Sequence, residues 1–277
     1  VGVLLVNHGS RSATWRQALL NLEASVSDSI LSRGTVQGIR TAFMEYTEPS
    51  IATRLKEFDA EGYTDIILVP IFLTVSSHSF DDIPTIIGKK KDPQSMEVLR
   101  VDKIERYAPR AMTHITPLLD FSQTLRQNIL RRARALSKDP SREGLTMIAY
   151  GDATYMKEWT GLLSEVGEYV RQQAGIESYS IGWCGHVAGY SPDSTTVAID
   201  RVLALEDNAL VVPVLVAHDE MLQVKIIGDG IDRLGVRKPR VRYIADAILP
   251  DKDIEKWVVD VVCRYAGNIH SGVAFVP

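Results

Sequence analysis

An α/β fold is expected, with two similar lobes, each a mostly parallel sheet flanked by helices and related by internal duplication. Three observations carry this expectation. Short apolar runs such as Val3-Leu4-Leu5-Val6 and residues 66–73 read as strands buried on both faces. Between them lie stretches with a single apolar face at helical spacing, of which Trp15, Leu19, Leu22 and Val26 form the first. The whole alternation then restarts, with matching residues 142 to 144 positions further on.

The first strand runs into the polar turn Asn7-His8-Gly9-Ser10-Arg11. In parallel sheets, ligands bind outside the carboxyl ends of strands, which is where His8 falls. A second strand at residues 39–44 ends at Glu45, and Glu48-Pro49-Ser50 then opens a helix with Ile51, Leu55 and Phe58 inward and Gly62 near its end. The third strand, residues 66–73, leads through Thr74-Val75-Ser76-Ser77 to His78, so three successive strands end at His8, Glu45 and His78. Lys89-Lys90-Lys91 reads as a solvated loop. A fourth strand is expected near residues 96–101, and residues 113–119 lead into a helix from about 121 to 135. Residues 137–144, polar and containing Pro140, read as a linker.

After the linker, residues 145–152 repeat the first strand and turn, with Gly151 in the place of Gly9. Trp159, Leu163, Val166 and Val170 repeat the first helix face, and Thr195, Ile199 and Val202 repeat the second. Val212-Pro213 repeats Val69-Pro70. The division expected is an N-terminal lobe at residues 1–138 and a degenerate copy at 139–277. On these offsets Tyr150 stands for His8, Gly189 for Glu45 and Met221 for His78, so polar chemistry belongs to the first lobe, with one active site per chain. His186 and His218 are the candidates in the second lobe that a shifted loop would bring to the site, the plainer reading of each being structural. His114 and His270 are isolated and read as structural.

Composition narrows the function classes. A formal net charge of −4 argues against nucleic-acid binding, and no apolar run reaches the roughly 20 residues of a membrane-spanning helix. Cys184 and Cys263 form no Cys-x-x-Cys pair, which fits buried thiols in a reducing cytoplasm. Neither a phosphate-binding Gly-x-x-x-x-Gly-Lys-Ser/Thr loop nor a Gly-x-Gly-x-x-Gly turn is present, so ATP-driven and dinucleotide chemistry are not expected. No permanently bound cofactor is implied.

Two imidazoles and a carboxylate suit a borderline divalent cation such as Co²⁺, Fe²⁺, Ni²⁺ or Zn²⁺. They are too few for a closed structural zinc site and leave coordination positions open. A hydrolase working through metal-bound water fits the same residues. So does acid–base chemistry without metal: the His-Gly turn resembles the phosphohistidine turn of the histidine phosphatases, which would make His8 the nucleophile of a phosphomonoesterase. That family carries an arginine immediately before its histidine, where this chain has Asn7.

Asn7-His8-Gly9-Ser10-Arg11 with Trp15, Phe43-Met44-Glu45 with Glu48-Pro49-Ser50, and Val69-Pro70-Ile71-Phe72-Leu73 with His78 and Asp82-Ile83-Pro84 together resemble the sirohydrochlorin chelatases. These are ATP-independent tetrapyrrole chelatases of cobalamin and sirohaem biosynthesis, whose long members are internally duplicated. The motifs cover about the first 90 residues. The resemblance implies a lyase inserting Co²⁺ or Fe²⁺, as a substrate, into sirohydrochlorin. His8 and His78 would hold the metal, and Glu45 would help deliver it or accept a pyrrole proton. Ser10, Arg11 and the Lys89–Lys91 loop would meet the carboxylates of the macrocycle. The implied partners are sirohydrochlorin and a divalent ion, with no nucleic acid or membrane, in a chain able to act as a monomeric pseudo-dimer. A non-catalytic metal or tetrapyrrole carrier is the remaining alternative.

Overall fold

The computed structural model describes residues 1–73, 76, 78–119, 121–151 and 153–272. Thr74, Val75, Ser77 and Asp152, which belong to the strand-end stretches read above, lie outside the described residues, as does the end of the expected second lobe from residue 273.

β1 (Gly2–Asn7) is buried along its whole length, as its apolar run requires. α1 (Ala13–Leu31) starts at Ser12, whose side chain accepts from the Trp15 amide, and buries Trp15, Leu19, Leu22, Val26 and Ile30. β2 (Gly38–Phe43) follows, then α2 (Ile51–Ala60), capped by Ser50 and inward-facing at Ile51, Leu55 and Phe58. β3 (Asp65–Pro70) is succeeded by a π-helical turn (His78–Asp82), α3 (Ile83–Ile86), α4 (Pro93–Val101) and β4 (Met112–Ile115). The four strands are parallel in the order β2-β1-β3-β4.

Residues 96–101 are therefore helical rather than the fourth strand. The Asp92 side chain accepts from the Ser95 amide, and Pro93 sits in the first turn, where a missing N–H breaks no helical bond. The buried positions, Ser95 and Leu99, are four apart. An apolar run this short does not distinguish the two states by periodicity.

The second half continues with a π-helical turn (Phe121–Leu125), α5 (Arg126–Leu136), β5 (Glu143–Ala149), α6 (Met156–Ala174), β6 (Ser178–Trp183), α7 (Asp193–Leu203) and β7 (Asn208–Val214). A π-helical turn (Glu220–Ile227), α8 (Gly228–Asp232), β8 (Val241–Tyr243) and α9 (Lys252–Ser271) complete it. Its strands are parallel in the order β6-β5-β7-β8, the same arrangement as in the first sheet. No helix among the described residues is long and apolar enough to cross a membrane.

The compact units are not divided at residues 138 and 139. One comprises residues 1–119 together with α9, the other residues 120–251. α5 packs against α6 and β7, while α9 packs against α1 and β3. Each repeat's last helix thus serves the sheet of the other repeat. α5 is held in the second unit by specific bonds: Asn128 Nδ2 donates to the Ile248 carbonyl (3.2 Å), and Arg132 Nη1 to the Pro213 carbonyl (2.8 Å). The polar stretch at 137–144 looks like a boundary, but the chain has changed units before α5.

Ile254 on α9 is fully buried. Ile254→Ala should cost about 2–5 kcal/mol by leaving a cavity. If α9 belongs to the first unit, native-state hydrogen exchange in this variant should quicken in β1 and β3 and leave β5 and β7 unchanged.

Candidate metal centre

The backbone brings His8 and Glu45 side by side. The ladder between β1 and β2 continues past both strands, with the Met44 amide donating to the Asn7 carbonyl (2.8 Å) and the Glu45 amide to the His8 carbonyl (2.8 Å). Gly9 then turns with φ +100°, and a Cβ at this position would lie 2.0 Å from the Glu45 carbonyl oxygen. Only glycine allows both the turn and the close approach.

His78 enters from β3 on the π-helical turn. Its ring centroid lies 4.8 Å from that of His8, with the planes at 73°. Ligand atoms of His8, Glu45 and His78 all lie within 4.8 Å of one another, and each residue is half-buried. Phe72, buried beside the pair, packs edge-on against His8 (6.5 Å) and tilted against His78 (6.4 Å), giving the site an apolar wall.

The surrounding groups set the state of these ligands. His78 Nδ1 lies 2.8 Å from Oδ2 of Asp82, one helical turn away and buried. Donation to this carboxylate puts the ring proton on Nδ1 and makes Nε2 the lone-pair nitrogen. His8 Nδ1 lies 3.1 Å from the Gly9 carbonyl, which selects the same tautomer. Burial alone would raise the pKa of Asp82, but hydrogen bonds from His78 and Ser95 outweigh it, so Asp82 sits below the usual carboxylate range. Glu45 goes the other way. Its burial pushes the pKa up, and the His78 ring and a hydrogen bond from the Tyr46 side chain only partly oppose the shift. One carboxylate is held as an anion by its hydrogen bonds, and the other is shifted toward its neutral form by burial.

Asp82 and Tyr46 are the two residues to which the sequence reading gave no role. The spacing of His78 and Asp82, four apart, was the available signal for the first. Ser10 and Arg11 behave differently from each other. Ser10 braces its own loop, its hydroxyl accepting from the Ser12 amide (3.0 Å) and its carbonyl from Arg16 Nη1 (2.8 Å). Arg11 is exposed, with its guanidinium 5.4 Å from the centroid of the Tyr46 ring, which in turn lies 5.9 Å from that of His8. The Lys89–Lys91 run is not uniformly solvated: Lys89 donates to the Thr113 carbonyl and Lys90 pairs with Asp81.

In the second half, Cys184 donates to the Ala149 carbonyl as Met44 does to that of Asn7, so strand register matches Glu45 with Gly185 rather than Gly189. The difference is an inserted helical turn at His186–Ala188, followed by Gly189. Tyr150 takes the place of His8, its hydroxyl 2.8 Å from that of Tyr190 and its ring edge-on to His186. His218 Nδ1 donates to the Ala245 carbonyl (2.8 Å), and His114 Nε2 lies 2.9 Å from Oδ1 of Asp65 on the neighbouring strand. Among the described residues, the metal-ligand grouping of three His, Cys, Asp or Glu side chains is His8, Glu45 and His78, and neither His186 nor His218 belongs to it.

A profile of the CbiX family matches residues 2–136. Sirohydrochlorin cobaltochelatase from Methanococcoides burtonii is 34% identical over 97 residues, which are 35% of this chain and 70% of that protein. The chain belongs to the sirohydrochlorin cobaltochelatase (CbiX) family. Its match to the enzyme of the same name from Methanopyrus kandleri, 32% identical over 32% of this chain, spans 59% of that relative's length. The fold of this CbiX-family chain is that of SirB from Bacillus subtilis, solved with Fe³⁺, at a TM-score of 0.70 and 18% identity, covering 99% of both chains.

Removing the carboxylate behind His78 should loosen the site without touching a ligand. Asp82→Ala is expected to weaken Co²⁺ binding about 10–100-fold, measured by calorimetric titration, with the circular dichroism spectrum unchanged.

Proposed function

We propose that this chain inserts a divalent metal, Co²⁺ or Fe²⁺, into sirohydrochlorin without ATP, the ion being a substrate and no cofactor being permanently bound. The observation that carries the proposal is the gathering of His8, Glu45 and His78 at the ends of three adjacent parallel strands. The name carried by the archaeal relatives supports the macrocycle and the metal. We further infer a chain that acts as a monomer in the cytoplasm, away from nucleic acid and membranes, in keeping with its net charge of −4 and unpaired cysteine pattern.

Insertion needs a site that binds the ion, releases it, and removes two N–H protons from the macrocycle. Neutral imidazoles at His8 and His78 bind a borderline ion while leaving positions open to the incoming pyrrole nitrogens. Asp82 keeps His78 in the tautomer that ligates through Nε2. Glu45, whose pKa burial has raised, accepts a pyrrole proton more readily than an ordinary carboxylate and then passes it to solvent. Arg11 is exposed beside the site and is assigned to a carboxylate of the substrate, with Ser10 holding the loop that presents it. The phosphomonoesterase reading lacks its arginine: Asn7 is buried, with its amide on the Leu5 carbonyl.

Anaerobic absorbance assays with sirohydrochlorin and either Co²⁺ or Fe²⁺ test the reading directly, the expected result being metal insertion above the uncatalysed rate. Turnover by a generic phosphate ester, with no insertion, would favour the phosphatase. Glu45→Gln should lower kcat about 10²–10⁴-fold while macrocycle affinity stays near that of the wild type.

The pH profile follows from the direction of the Glu45 shift. A raised pKa keeps Glu45 protonated, and useless as a base, at pH values where a normal carboxylate is already ionised. The wild-type rate should therefore fall as pH drops through that raised value. Rates of wild type and Glu45→Gln measured across the acid limb should converge at low pH.

A further inference from the structure

The two sheets end on equivalent edge strands, β2 and β6, and the two edges are finished differently. In β2 the Phe43 amide turns away from β1 to donate to the Pro49 carbonyl (2.9 Å), and the Thr41 carbonyl accepts from Arg54 Nε (3.1 Å). Arg40, also on β2, pairs with Glu57 of α2 (3.6 Å) and with Glu61 at its end (2.6 Å). Charged side chains thus cover this edge, which is how natural sheets blunt an open strand. The strand registers and the buried faces of α2 and α7 set Ser180, Ala198, Arg201 and Leu205 where the first unit has Arg40, Arg54, Glu57 and Glu61. Every side chain of that cover is replaced in the second unit.

The uncovered edge has backbone groups to offer. The Trp183 amide donates to Ser194 Oγ (2.9 Å) rather than to β5, and residues two apart on a strand point their backbone groups the same way. The N–H and C=O of Tyr179 and Ile181 therefore also face outward, and on that side they meet no hydrogen-bond partner among the described residues. Along them runs a groove of about 390 Å³ lined by Ser178, Tyr179, Ile181 and Trp183 of β6, Arg201 of α7 and Leu205 just beyond it. Leu205 is 74% exposed, and Val197, eight residues earlier on the same stripe, is 50% exposed. Arg201 between them is exposed and has no acidic partner among the described residues. Ser178 Oγ is buried without a hydrogen-bond partner.

We propose that the β6 edge of the second unit docks an extended polypeptide segment carrying a carboxylate, which adds to the four-stranded sheet as a further strand and sets its acidic side chain against Arg201. Donors and acceptors that recur at every second residue match a polypeptide backbone, and the groove beside them takes alternate side chains. The unpaired guanidinium selects a carboxylate. A second copy of this chain fits less well. Pairing β6 antiparallel with itself about a two-fold axis puts both α7 helices on one face of the joined sheet, with the two Arg201 side chains on the same side of the shared edge, like charge beside like charge. The site is separate from His8, Glu45 and His78 and does not rest on the proposed function.

The test titrates the full chain into a fluorescein-labelled peptide of six residues, the length of β6, made of alternating valine and threonine with one central glutamate. Fluorescence anisotropy should show saturable binding, and NMR should show slower hydrogen exchange of the Tyr179 and Ile181 amides in the complex. Arg201→Glu should bind this peptide about tenfold or more weakly and should prefer the version with lysine in place of glutamate. Ile181→Pro removes an outward amide and spares the bonds to β5, so it should lose the peptide while keeping the wild-type melting temperature. A backbone N-methylated peptide makes the same test on the wild-type chain, whether or not the proline variant folds, and should not bind. Failure of the glutamate peptide to bind, equal binding of the N-methylated peptide, or indifference to Arg201→Glu would each overturn the proposal. A dimer in analytical ultracentrifugation that Ile181→Pro converts to monomer would also overturn it, because a second copy would then occupy the edge.

Discussion

The hydrogen bond from the Glu45 amide to the His8 carbonyl is the constraint on which the rest of the site depends. It holds the ends of β1 and β2 in register one residue beyond the sheet, so that an imidazole and a carboxylate emerge as neighbours. Gly9 makes the approach possible, since any side chain there would run into the Glu45 backbone. Rigid strands bring the functional groups together, and the turns only aim them. His78 arrives on a π-helical turn, a local widening that recurs at functional positions.

Electrostatics then separates two carboxylates that lie close to the same histidine. Burial raises both pKa values, but hydrogen bonds from His78 and Ser95 outweigh it in Asp82 and hold that group as an anion, whereas in Glu45 burial prevails and shifts the group toward the neutral form. Their environments push the two groups to opposite sides of the usual carboxylate range. The same sheet order in the second half, without those ligands, shows that the fold itself does not demand them.

Much of this was legible in the sequence because burial on both faces leaves a parallel strand with a continuous apolar run, and the polar residue that ends it stands out. His8, Glu45 and His78 were visible in that way, as was the repeat. The helix at Pro93–Val101 was not, because a nine-residue segment with few buried positions carries little periodicity. The exchange of α5 and α9 between units was hidden too, since an amphipathic helix declares that it has a buried face but not which sheet covers it. Matching Glu45 to Gly189 followed a constant offset across a loop that holds an extra turn; strand pairing, a long-range property, places Gly185 there. Tyr46 gave no signal, because its backbone conformation and its contact with His8 exist only once the loop is folded.

The most direct test of the account is X-ray absorption spectroscopy on the Co²⁺-loaded chain. One ion per chain with two imidazole ligands is predicted, with one imidazole lost in His8→Ala or His78→Ala and both lost in the double variant. An imidazole shell that survives the double variant unchanged would place the metal elsewhere and contradict the account.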